Sequence, residues 1–327
     1  MKLRQLEYFV RIIDTGSITR ASKSLHVAQP ALSQQISQLE EELGVKLMAR
    51  TVRGVSATEA GLAVYHQAKL ILKQVEATAL VARQAELGPA GIVTIGLPWT
   101  VAAVVGLPLL ATVRATLKSV RLEIVEGPSA VLAKLLAEGK LDVAVLFDDP
   151  AGSGIDMRPL LSEALYFVGR RGSLAGRGGI ELAEIGDYPL LLMSRPNGIR
   201  ELVDSRLALA GVQPQVVAEI NSPSLLMEAV RAGLGYAVLP ASGIEDSRRA
   251  GLVDAVELEQ GGLRRTICIG TSRMFVLSLA AEHVIATLAE LMVRAVESRR
   301  WNAAPITPRD VGTGMDGAPG AARESAR

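Results

Sequence analysis

SITRASKSLHVAQPALSQQISQLEEELG, residues 17–44, is the stretch whose reading decides the fold. Ser17 is an N-cap residue type, and Ile18 to Leu25 predicts a short helix that turns Ala21 and Leu25 inward. His26, Val27 and Ala28 make a three-residue break. Pro30 then suits the first turn of another helix, where its missing N–H has no partner to lose. Ala31, Leu32, Ile36, Leu39 and Leu43 recur at helical spacing as a buried stripe, and Gly44 ends the helix. The other face carries Gln29, Ser33, Gln34 and Ser37. Two short helices joined by so short a break are the signature of a helix-turn-helix. Glutamine and serine both donate and accept hydrogen bonds, which suits the base edges of a DNA major groove. A three-helix packing module without a nucleic-acid partner would show the same pattern.

Outward from this stretch the pattern continues. In front of it, Leu3, Leu6, Phe9, Val10 and Ile13 predict an amphipathic helix that stops at Asp14-Thr15-Gly16. Behind it, Val45 to Thr58 alternates apolar and basic residues around Gly54, which predicts a small two-stranded wing. Arg20, Lys23, Lys46, Arg50 and Arg53 gather in this region against one acidic run, Glu40 to Glu42. Arg50 and Arg53 on the wing are placed to reach phosphates or the minor groove.

The segment LRQLEYFVRIIDTGSITRASKSLHVAQPALSQQISQLEEELGVKLMARTVRGVSATEAG resembles the DNA-binding domain of the LysR-type transcriptional regulators, with GSITRAS, QPALSQQI, LEEELG and a basic wing closing in TEAG in family order. The resemblance implies a sequence-specific DNA-binding regulator whose contacts come from Arg20, Gln29, Pro30, Ser33, Gln34, Ser37, Arg50 and Arg53. Three residues depart from the family: Met48 where phenylalanine is usual, Ala57 where leucine is usual, and Ala28 where a serine or threonine cap is common. The last should weaken a helix start by about 1 kcal/mol. SRPNGIR and RAGLGYAVLP further resemble the branch of the family that holds the nitrogen assimilation control regulators.

Thr58 can cap a long helix from about Glu59 to Leu87, in which Val64, Ala68, Ile71, Val75, Thr78, Ala82 and Ala85 follow the spacing of a coiled-coil seam. By resemblance this is the linker that pairs subunits into a homodimer, and dimers into a homotetramer. Gly88-Pro89-Ala90-Gly91 marks the domain boundary. Beyond it, IVTIGLP, VRLEIVEG, LDVAVLF, YPLLLM, GYAVLP and TICIG alternate with helical patterns, which predicts an α/β domain with largely parallel sheets. The whole is then an α+β multi-domain chain. Residues 1–58 form the winged helix-turn-helix, 59–88 the linker and 91–298 a two-lobed effector domain similar to periplasmic binding proteins. One lobe takes 91–161 and 263–298, the other 162–262. Residues 301–327, rich in Ala, Gly, Pro and Arg, read as a disordered tail.

Ligands in such sheets settle at carboxyl ends of strands, against helix N-termini whose free N–H groups favour anions. The segments so placed give Pro98, Trp99, Thr100, Ser129, Phe147, Arg195, Asn197, Arg200, Asn221 and Ser222 as candidate effector-binding residues for an organic anion. Thr100 and Ser129 offer hydroxyl donors. Arg195 and Arg200 read either as carboxylate clamps or as surface ion pairs, and Trp99 either as a cleft wall or as core.

Composition excludes several other classes. Net charge is +1, so bulk charge does not announce a nucleic-acid binder; only its distribution does. The single cysteine, Cys268, allows no internal disulfide, and His26, His66 and His283 are too scattered for a structural metal site. No Walker loop, dinucleotide loop or nucleophile elbow occurs, so neither an enzyme nor a cofactor is expected. No secretory signal or membrane span is legible, and a cytoplasmic site is expected. The expected partners are an operator duplex, a small-molecule effector, a second copy of the chain and, for an activator, RNA polymerase. A solute-binding protein would need export; a DNA-organising protein without a ligand remains the other reading.

Overall fold

The computed structural model describes residues 1–51, 54–147, 154–258 and 263–306. The first unit runs α1 (Leu3–Thr15), α2 (Ile18–Leu25), α3 (Gln29–Leu43), β1 (Met48–Thr51), β2 (Gly54–Ala57) and α4 (Glu59–Leu87). Its stops are local chemistry. Gly16 takes the left-handed conformation and returns its N–H to Ile13, and Ser17 Oγ accepts the Arg20 N–H at 3.3 Å. His26, at φ 54, closes α2, so the break is a left-handed cap rather than a loop. Ala28 begins α3 without a side-chain cap. Leu6, Phe9, Ile12, Ala21, Leu32, Ile36, Leu39 and Leu47 fill the core.

Three residues assigned to the apolar stripes lie outside the core. Leu3 is 48% and Leu43 38% exposed, and Ala31 is exposed too. Each sits at a helix end, where the stripe has already rotated past its neighbour. Glu40, read as part of a solvated acidic run, is instead buried. Its carboxylate accepts the N–H groups of Leu47 (2.9 Å) and Met48 (3.3 Å) and the Lys46 ammonium (2.7 Å), which ties α3 to the wing. Gly61 serves the same junction: a Cβ there would stand 1.9 Å from the Leu47 carbonyl oxygen. Thr58 Oγ1 caps α4 by accepting the Gly61 N–H at 2.9 Å.

The seam expected on α4 is divided. Val64, Ala68 and Ile71 pack into the α1–α3 core, so the first half of the stripe is satisfied within the chain. Val75 (44%) is exposed. The side chains of Ala82 and Ala85 lie outside the described residues.

The second unit begins with β3 (Gly91–Leu97) and a helical run made of α5 (Trp99–Val101), a π-helical turn (Ala102–Gly106) and α6 (Leu107–Thr116). This run is long and apolar enough to cross a membrane by length and composition alone, a length that Gly106 and Pro108 hide in the sequence. Val101, Val105, Leu109 and Val113 pack against the sheet in the core. Then follow β4 (Val120–Glu126), α7 (Ser129–Ala137), β5 (Val143–Phe147), β6 (Ile155–Arg170), β7 (Gly179–Ile180) and β8 (Pro189–Met193). Next come α8 (Gly198–Leu209), β9 (Gln215–Ile220), α9 (Pro223–Arg231), β10 (Ala237–Pro240) and α10 (Ala241–Arg249). The unit ends with β11 (Val253–Leu258), β12 (Arg264–Ser272), α11 (Leu279–Glu297) and β13 (Ala303–Pro305).

One sheet takes the order β4-β3-β5-β12-β6-β11-β7, with β10 and β13 also on β6. It is mixed rather than largely parallel. β3, β4 and β5 run parallel, whereas β12 runs antiparallel to β5 and β6. The two long strands β6 and β12 are what carry the sheet from one core to the next. Leu161 and Ile267 belong to a core with Val93, Leu97, Val145 and Leu288. Leu165 and Leu263, a few residues away, belong to another with Phe167, Leu192 and Val256. Two lobes therefore share one pair of strands.

The tail needs correction at its start. Trp301 is 1% exposed, among the largest fully buried side chains, and Ala303–Pro305 adds a strand to β6. The composition of 301–327 is dominated by its distal part, which hid six ordered residues. Residues 307–327 lie outside the described residues.

Candidate functional site

Two groups of side chains stand out, one on α3 and one between the lobes. On α3 the buried residues are Leu32, Ile36, Leu39 and Glu40, so the opposite face is fixed toward solvent. Gln29, Pro30, Gln34 and Ser37 are exposed and Ser33 is half-buried. Gln29 Oε1 accepts a 3.3 Å hydrogen bond from Thr19, which links the starts of α2 and α3. Arg20 is exposed on α2. Arg50 lies on β1 opposite Val55, and its side chain, like all of Arg53, falls outside the described residues. The helix thus presents a row of uncharged donors and acceptors beside a cationic side chain. That is the chemistry that reads base edges while holding phosphates.

Between the lobes the sequence candidates separate into two sets. Pro98, Trp99, Thr100, Ser129 and Phe147 come from the ends of β3, β4 and β5 and lie on one lobe. Thr100 is 1% exposed, and its Oγ1 accepts a hydrogen bond from Arg265 at 3.0 Å. The same guanidinium lies 3.6 Å over the Phe147 ring. Ser129 Oγ accepts the Phe147 N–H at 3.0 Å, and Trp99 closes on Gly243, where a Cβ would stand 2.8 Å from the indole.

The second set does other work. Arg195 and Arg200 are ion-paired within the chain rather than free to clamp a carboxylate. Both reach Asp204, and Arg200 also bonds Glu219 at 2.8 Å and the Met193 carbonyl at 3.2 Å. Burial alone would raise the Asp204 pKa, but the two guanidinium groups outweigh it and hold the carboxyl below its ordinary value. Asn197 Oδ1 accepts the Ile199 and Arg200 N–H groups, and Ser222 Oγ the Leu225 N–H; both are helix N-caps. Asn221 is exposed beside Ser222.

The centre of the site is a pair that sequence reasoning missed. Glu163 on β6 is fully buried and stands directly opposite Arg265 on β12. Glu163 Oε2 accepts Arg265 Nε at 2.9 Å and Nη2 at 2.7 Å. Glu163 Oε1 accepts the Ser242 N–H at the start of α10 (2.7 Å) and Trp301 Nε1 (2.8 Å). The two charges are 102 positions apart in sequence, and only the strand register brings them together.

Family comparison agrees with both halves of the chain. Residues 3–62 match the bacterial regulatory helix-turn-helix protein, lysR family, and residues 87–293 match the LysR substrate binding domain. The nitrogen assimilation regulatory protein nac of Klebsiella aerogenes is 40% identical over 243 residues, 74% of this chain and 79% of that protein. A full-length OxyR variant from Pseudomonas aeruginosa superimposes with a TM-score of 0.70 over 89% of this chain and 94% of that one, at 24% identity, a likeness of fold. CbnR in complex with its target DNA gives a TM-score of 0.61 over 90% of this chain and 100% of that one, at 23% identity.

Proposed function

This chain belongs to the LysR family of transcriptional regulators, and from that premise we propose how its parts divide the work. Residues 1–58 bind operator DNA in the cytoplasm, with Gln29, Pro30, Ser33, Gln34 and Ser37 of α3 in the major groove and Arg20, Arg50 and Arg53 on the backbone. The observation that carries this is the one-sided burial of α3, which leaves its polar row exposed on a helix locked to the wing by Glu40. Residues 59–88 pair two subunits, and pairs assemble to a tetramer. Val75 and Thr78, exposed beyond Leu72, are the stripe residues of α4 available for that pairing among the described side chains. Two recognition helices then meet half-sites about one helical turn apart.

Residues 91–306 sense a small organic anion between the lobes, at Pro98, Trp99, Thr100, Ser129 and Phe147. Binding there acts only through differential affinity for two lobe arrangements. A second reading, regulation without an effector, is favoured by one observation: Arg265 is already paired. RNA polymerase is a partner if the chain activates.

Electrophoretic mobility with duplexes carrying the promoter nearest the gene tests the DNA assignment. Affinity is expected to fall steeply with salt, and Arg20→Ala to weaken all sequences alike. A salt-independent affinity would contradict it. A thermal-shift screen of small carboxylates separates the two readings of the sensing site: a saturable rise in Tm supports the effector, and a flat response the effector-free mode.

A further inference from the structure

Glu163 has the contacts that a bound ligand would have. Four N–H groups converge on its two oxygens: two from the Arg265 guanidinium, one from the Ser242 backbone and one from the Trp301 indole. They come from three elements, β12, the N-terminus of α10 and the strap that follows α11. Both guanidinium donors close on one carboxylate oxygen, Oε2, in charge-assisted hydrogen bonds, and the neutral donors take Oε1. A helix N-terminus adds partial positive charge on the other side. The nine-residue α10 also carries a hydroxyl, Ser242 Oγ, that is buried without a hydrogen-bond partner among the described residues. Phe147 covers the guanidinium face, and Thr100 accepts a further hydrogen bond from Nη2. All of these are groups expected of a receptor for a small organic acid, assembled at the strands shared by both lobes.

The occupant is a side chain. β6 is flanked at this point by β12 and β13, with Arg265 and Ala303 both in register with Glu163. The strap is fastened there by Trp301 in the core, by Asn302 Nδ2 to the Tyr166 hydroxyl at 2.6 Å, and by the Ile306 N–H to the Leu160 carbonyl at 3.0 Å. We propose that the chain contains a carboxylate-binding site between its lobes that its own Glu163 fills, and that removing this side chain turns the site into a receptor for a free short-chain carboxylate. The inference rests on the effector-free reading of the interlobe region: the lobes respond to what Arg265, α10 and Trp301 hold.

The test uses the full chain, Glu163→Ala, and sodium acetate as the probe, with sodium chloride at equal ionic strength and neutral acetamide as controls. The parent should show no Tm change with acetate beyond that with chloride. E163A should melt lower than the parent and recover saturably with acetate, with no recovery from acetamide. Its footprint on a DNA site bound by the parent should change without acetate and return with it. A folded E163A that ignores acetate, or a parent that responds to acetate as the variant does, would overturn the proposal. Should E163A fail to fold, Glu163→Leu combined with Arg265→Met removes both charges at similar volume, a change that buried ion pairs often tolerate. That double variant should fold, bind DNA and give an altered footprint. A footprint identical to the parent's would mean that the pair serves packing alone and would refute the site. Parent binding to DNA in the same assay keeps failure of the DNA assignment separate from failure of this one.

Discussion

The DNA-reading face of α3 and the site between the lobes handle polar side chains in opposite ways. On α3, Gln29, Gln34 and Ser37 are exposed, and the helix is held by apolar residues on its far side and by one buried carboxylate, Glu40. Between the lobes, Glu163, Arg265 and Thr100 are buried and bond one another and, through Glu163, the Ser242 N–H and the Trp301 indole. A face that must meet a partner keeps its donors and acceptors open to water. A site whose charged groups are already paired either has no partner or already holds one. The two regions should therefore respond to substitution in different measurements, stability for the buried pair and recognition for the exposed row.

The largest effect should come from breaking the buried pair. Arg265→Ala strands a carboxylate without its countercharge, at a cost of about 3–5 kcal/mol of unfolding free energy. Urea unfolding of the full chain reads this directly. A loss below about 1 kcal/mol would mean that water reaches Glu163 and that the contrast with α3 is false.

Gly61→Ala sharpens the other side of the comparison. Its Cβ would lie 1.9 Å from the Leu47 carbonyl oxygen, so α4 must move off the wing. Overpacking of this kind costs about 1–3 kcal/mol. The cost should appear in the melting of the N-terminal unit, with DNA affinity falling at all sequences together. An unchanged melting curve would show that the junction is looser than drawn.

The smallest effect is in pH. Burial opposes ionisation of Glu40, but its hydrogen bond to Lys46 and the N–H groups of Leu47 and Met48 hold its pKa below the ordinary value. Asp204 is lowered by Arg195 and Arg200 against the same penalty. A depressed carboxyl contributes stability that is full above the unfolded pKa of about 4 and is lost as pH falls through the folded value. Unfolding free energy should therefore drop between about pH 5 and pH 3, and Glu40→Gln should flatten the part that belongs to the N-terminal unit. A curve of unchanged slope in that variant would remove Glu40 from the junction.

What was legible in the sequence follows the same divide. α2, α3, the wing and α4 are written in local periodicity and caps, so Ser17, Gly44 and Thr58 mark their ends by residue type and spacing alone. The strand-end segments before α5 and α7 were legible because an apolar run followed by a turn announces a strand end. Glu163 and Arg265 were not, since a lone charge in a strand names no partner and the pairing exists only in the register of β6 with β12. Trp301 was lost to its neighbours' composition. The seam on α4 was misassigned in its first half because a stripe shows which face is apolar but not which surface covers it: α1 does so at Val64, Ala68 and Ile71.

The most direct test of the account is the DNA sequence that the chain selects. Duplexes bound by the full chain from a random pool, sequenced for the parent and for Gln34→Ala, report what the exposed row of α3 reads. The parent should select a two-fold-symmetric site. The variant should fold with parental stability and lose preference at one position in each half-site, worth about 1–3 kcal/mol per contact. A parent that selects no sequence, or a variant whose selected site matches the parent's at every position, would contradict the assignment of α3 as the reading helix.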